Sequence, residues 1–85
     1  MAAHLKKHEV MCMQPETVGQ RIKYLRKKNG VTQKELAKIL YVSESTVSYW
    51  ERDKTEPSLI LIVRLTALFQ TSLNYLIIGN ENTTL

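Results

Sequence analysis

At 85 residues, with 44% apolar and 24% charged side chains, three glycines and two prolines, the chain is one compact domain and not a disordered segment, and it can bury only about 60–65% of its surface. The net charge of +4 and the pI near 9.4 favour a polyanionic partner. Cys12 is the single cysteine, which excludes an intrachain disulfide. The longest apolar run, residues 59–63, is too short to span a bilayer, and the N-terminus has no long apolar segment of a signal peptide. The expectation is a cytoplasmic protein with no membrane association.

Residues 1–15 show no sustained apolar period and end at Gln14-Pro15, so they read as a flexible arm. His4, His8 and Cys12 are spaced by four and would share a helical face, but three ligands on an unanchored tail make a poor zinc site. No metal and no other cofactor is expected. Thr17 and Gln20 form a capping-box pattern, and Val18, Ile22 and Leu25 a stripe, which predicts a helix over 18–29 that stops at Gly30. Arg26 lies beside that stripe. A charge at the edge of a core needs an anion, and Glu51 on the inner face of a later helix is the candidate.

Thr32 and Glu35 form a second capping box, opening a helix that buries Leu36, Ala37 and Leu40. Ser43 caps a third helix whose apolar edge is Val47 and Trp50. Only Tyr41 and Val42 are left to join the two, the short link of a helix-turn-helix. With Val47, Trp50 and Glu51 inward, the third helix turns Glu44, Ser45, Ser48, Tyr49 and Arg52 outward. These are small or hydrogen-bonding side chains suited to a groove. The basic run Arg21, Lys23, Arg26, Lys27, Lys28, Lys34 and Lys38, against the acid Glu35, reads as a rim facing a polyanion.

Residues 53–56 form a polar loop, Pro57 fixes the chain, and Ser58 caps a fourth helix over 59–69 that is apolar nearly all round. Ser72 caps a short last helix with Leu73, Leu76 and Ile77 at helical spacing, and Tyr75 and Ile78 add apolar surface before Gly79. Residues 80–85 read as a tail.

In order and at these spacings, Thr32-Gln33, Glu35-Leu36-Ala37, Val42-Ser43, Glu51-Arg52, Pro57-Ser58 and Ser72-Leu73-Asn74-Tyr75-Leu76 resemble the Cro/CI-type helix-turn-helix regulators, the XRE family. The likeness covers residues 18–78. It implies an all-α, compact five-helix bundle of the lambda-repressor type over 16–79, with the helix-turn-helix motif at 33–52. It also supports the Arg26–Glu51 ion pair, because those positions match the family's usual Arg and Glu. The chain departs from the family at Tyr41, Asp53 and Gln70, where glycine is usual, and at Ile60 and Ala67, where polar residues are usual.

The function that the resemblance implies is sequence-specific binding of double-stranded DNA by a small transcriptional repressor. The third helix would enter the major groove while the second crosses the phosphate backbone. Base edges would then meet Glu44, Ser45, Ser48 and Tyr49, and phosphates would meet Gln33, Lys34, Ser43, Thr46 and Lys54. Lys6 and Lys7 could add backbone contacts from the arm. A homodimer would form through Ile60, Leu73, Tyr75, Leu76, Ile77 and Ile78, which exceed what a core of this size needs. The alternative is a protein-interaction module, such as an antitoxin or anti-repressor. No nucleophile and base can be paired, so an enzyme is not expected, and no small-molecule ligand is evident.

Overall fold

The computed structural model describes residues 15–79. His4, His8, Cys12, Lys6 and Lys7 lie outside them, as does the tail beyond residue 79. Among the described residues the fold is five helices and no strand: α1 (Val18–Lys28), α2 (Gln33–Leu40), α3 (Glu44–Glu51), α4 (Leu59–Phe69) and α5 (Leu73–Ile78). Each begins at a hydroxyl cap, with Thr17, Thr32, Ser43, Ser58 and Ser72 accepting from the backbone N–H three residues on. That removes one of the unpaired donors every helix start would otherwise leave. The capping box at Thr32 is complete, for Glu35 accepts the Thr32 N–H at 2.9 Å. At α1 the reciprocal half shifts by one residue: Gln20 Oε1 accepts the Glu16 N–H at 2.7 Å instead of that of Thr17.

The helix ends repeat one device. After α2, the Val42 N–H donates to Ala37 O at 3.0 Å and the Tyr41 N–H to Lys38 O at 3.3 Å, the paired closure that needs a left-handed residue between. The same pattern closes α1 at Gly30, α3 at Asp53 and α4 at Gln70. Tyr41, Asp53 and Gln70 have φ of 60°, 59° and 53°. The three positions that depart from the family's glycines therefore keep the glycine backbone and carry the strain of a side chain there.

The core joins Ile22 and Leu25 of α1, Leu36, Ala37 and Leu40 of α2, Val47 and Trp50 of α3, Ile62, Leu65 and Phe69 of α4, and Leu76 of α5. Leu76 corrects an expectation: it is fully buried and so belongs to this core, where no second copy can reach it. Tyr75 is half-buried and packs against the same cluster. α4 buries one stripe only, and leaves Leu59, Ile60, Val63 and Leu68 exposed. On α5, Leu73, Ile77 and Ile78 are exposed as well.

Two polar clamps set how the helices cross. Arg21 is buried, and its guanidinium donates to Leu76 O and Ile77 O at 2.9 Å each and to Pro15 O at 3.4 Å. The cation thus sits on the carbonyl end of α5, where the helix dipole favours it. This corrects its place in the basic rim, because a guanidinium with these three partners is not available to a phosphate. At the other clamp the Gly19 N–H donates to Asp53 Oδ1 at 3.1 Å, and α1 passes so near the end of α3 that a Cβ on Gly19 would collide with Trp50 O.

Candidate nucleic-acid interface

The interface begins with the angle between α2 and α3, which three side chains hold. Arg26 Nε donates to Glu51 Oε2 at 2.6 Å and its NH2 to Glu51 Oε1 at 3.0 Å, while NH1 reaches Val31 O at 2.9 Å. Both Arg26 and Glu51 are buried. The expected ion pair is present, and its forked geometry gives a charged pair the hydrogen bonds it needs inside a small core. Gln33 adds a link that sequence reasoning missed: its Nε2 donates to Glu51 Oε1 at 2.9 Å. The first residue of α2 is thereby tied to the last residue of α3. An unpaired Gln on a helix start gives no such signal in sequence, because the acceptor lies 18 residues away.

On the outer side of α3 a polar depression is lined by Gln33, Glu44, Ser45, Ser48, Tyr49 and Arg52. The four candidate base-reading residues are therefore together on one wall, with Gln33 at the α2 edge. Ser43 and Thr46 stand at the start of α3, with hydroxyls 2.8 Å apart, and Ser43 Oγ also accepts the Thr46 N–H at 3.0 Å. Lys34 on α2 and Lys54 in the loop after α3 are exposed. Lys38 and Lys23 are exposed too, and Lys28 lies 5.8 Å from the centre of the Tyr24 ring. Without the two buried arginines the rim remains basic, but its charge comes from lysines.

Asp53 carries the loop that presents Lys54. Its carboxylate accepts from Thr17 Oγ1 at 2.7 Å and from the Gly19 N–H at 3.1 Å, so a negative charge meets the positive end of α1. Here is the reason an acid can stand at a left-handed position that glycine would occupy without strain. Arg52, next to it, is exposed, and its guanidinium lies 5.1 Å from the centre of the Tyr49 ring. The spacing of three on a helix could have suggested that stack.

Comparison with known proteins agrees with this geometry. The Helix-turn-helix family model matches residues 22–76. The HTH-type transcriptional regulator DicA of Escherichia coli is 39% identical over 66 residues, covering 78% of this chain and 49% of DicA. Repressor protein C2 of Salmonella phage P22 is 36% identical over 72 residues, covering 85% of this chain and 33% of the repressor. The chain thus spans half or less of the length of these relatives. Among solved structures, the P22 c2 repressor in complex with a synthetic operator aligns with a TM-score of 0.70 at 38% identity, over 75% of this chain and 97% of that one. The N-terminal DNA-binding domain of SinR from Bacillus subtilis aligns with a TM-score of 0.64 at 32% identity, over 79% of this chain and 96% of its own. Motif, fold and match fall on the same helices, and the chain belongs to the Cro/CI-type helix-turn-helix family.

Proposed function

We propose that the protein is a sequence-specific, double-stranded-DNA-binding transcriptional regulator, and that it represses by occupying an operator. The observation that carries this reading is the polar face of α3, held at a fixed angle to α2 by Arg26, Glu51 and Gln33. The same fold in the P22 c2 repressor is solved with an operator. In the groove, Glu44 would accept from a cytosine amino group, Ser45 and Ser48 would reach adjacent base edges, and Tyr49 would lie against a thymine methyl. Phosphates would be met by Lys34 and Lys54, by the Ser43 and Thr46 hydroxyls, and by the N–H groups at the start of α2 beside Gln33. The Gln33 amide has a second proton for this, since Glu51 takes only one. No catalytic step belongs to this reading. No helix among the described residues is long and apolar enough to cross a membrane, and the cytoplasm is the proposed compartment.

A homodimer is part of the proposal. Ile60 and Ile78 are 63% and 66% exposed, with Leu73 and Ile77 also open, and a second copy related by a two-fold axis would cover them. Tyr75 would lie at the margin of that contact. A module that binds another protein is the weaker reading, because it leaves the polar face of α3 unused. Titration of the purified protein with DNA fragments selected from random sequence distinguishes the two. A regulator retains fragments with a shared motif and releases them as salt rises; an interaction module selects none.

A further inference from the structure

We infer that Arg52, held against the ring of Tyr49, reads a guanine in the major groove and sets specificity at the far end of α3. The inference rests on the DNA-binding reading above. Arg52 follows the last residue of α3 with φ −99° and ψ 8°, so the chain continues almost helically and its side chain stays on the face of Glu44, Ser48 and Tyr49. It lines the same depression as those residues and Gln33. Its guanidinium is 5.1 Å from the Tyr49 ring centre. Among the described residues no carboxylate lies within ion-pair distance of it, and no protein acceptor takes its N–H groups. Arg21 and Arg26, in contrast, each hold three protein hydrogen bonds through their guanidinium groups.

A guanidinium 5.1 Å from a ring centre is drawn to the ring's negative face, which narrows its rotamer choice before any ligand arrives, and its N–H groups have no acceptor among the described residues. The acceptor pair that such a fork fits is O6 and N7 of guanine, which sit side by side only in the major groove. From Glu44 to Arg52 the helix rises about 12 Å, or three to four base steps. One wall thus has an acceptor at its start and a forked donor at its end, which makes the face polar in a defined direction along the site. The first two turns of α3 contain no Arg or Lys, so this donor is the one α3 and its cap provide for guanine. A phosphate also accepts from a guanidinium, and the variants below separate the two.

The test uses the full chain and the motif selected from random DNA. Duplexes changed one base pair at a time are titrated with wild type, Arg52→Lys, Arg52→Ala and Tyr49→Leu, each at two salt concentrations. Wild type is expected to prefer one G·C pair by roughly 5- to 100-fold. Arg52→Lys keeps the charge but loses the fork, so it should weaken that one preference and leave the salt slope and the other positions unchanged. Arg52→Ala and Tyr49→Leu should reduce the same guanine preference. Uniform weakening on all duplexes by Arg52→Ala, with the salt slope lower by about one, would make Arg52 a phosphate contact and overturn the inference. So would an Arg52→Ala variant that keeps the guanine preference. Absence of selected, salt-sensitive binding by wild type would instead remove the DNA-binding reading itself.

Discussion

At the scale of single residues, charged side chains divide by whether the fold has already engaged them. Arg26 is buried with Glu51, so Arg26→Ala strands a carboxylate in the core at a cost of about 3–5 kcal/mol. Thermal unfolding should show this as a large fall in stability, and an unfolding midpoint close to wild type would contradict it. Lys54 is exposed in the loop after α3, whereas Glu44 lies on the wall of α3. Lys54→Ala should weaken binding to all duplexes alike and lower the salt slope by about one, while Glu44→Ala should relax preference at one or two base pairs. An exchange of those two behaviours in a binding titration would reverse the assignment of surfaces. The Arg26–Glu51 pair was legible because a charge beside an apolar stripe demands a partner. Arg21 was not, because its acceptors are backbone carbonyls at the end of a helix 55 and 56 residues away, and a helix end has no side-chain signature of what caps it from elsewhere.

At the scale of the element, the helix starts were legible to the residue, since a hydroxyl followed by an apolar period leaves the N–H groups one obvious acceptor. The ends were harder. Tyr41 takes φ 60° with its side chain 89% exposed, so packing offers little to offset the left-handed strain. Tyr41→Gly should therefore stabilise the fold by roughly 1 kcal/mol, read as a rise in the denaturant midpoint; a fall would mean that the ring makes an unseen contribution. Asp53→Gly should not behave the same way. It relieves φ 59° but removes the acceptor for Thr17 and the Gly19 N–H, so the two effects oppose and the gain seen at Tyr41 should be absent. Gly19 shows the limit of reading helices one at a time. Inside a helix it resembles a weak point, yet a Cβ there would meet Trp50 O at 2.0 Å. Gly19→Ala should cost stability by about 1–3 kcal/mol or more through forced separation of α1 and α3.

At the scale of the whole molecule, the helices and the helix-turn-helix corner followed from periodicity and the order of the caps, and their assembly as a five-helix bundle from the family resemblance. The division of apolar residues between core and surface did not, because α4 and α5 are apolar on more than one face and periodicity cannot say which face turns inward. Leu76 went inside while Ile60, Leu73, Ile77 and Ile78 stayed out. If those four form a two-fold contact, Ile60→Lys and Ile78→Lys should leave the helical content of the fold unchanged but lower the apparent unfolding midpoint and remove its dependence on protein concentration. They should also shift the free protein from dimer to monomer in sedimentation at micromolar concentration. A wild-type monomer would end the homodimer proposal. In a dimer, two copies of α3 would lie about 34 Å apart on one side of the duplex.

The central claim is that the face of α3 recognises DNA by sequence. It is tested most directly by titrating the protein against a fragment selected from random DNA and against the same fragment scrambled, at two salt concentrations. The account predicts tighter binding to the selected fragment by on the order of 10³-fold or more, with both affinities falling as salt rises. Equal affinity for the two fragments would contradict it.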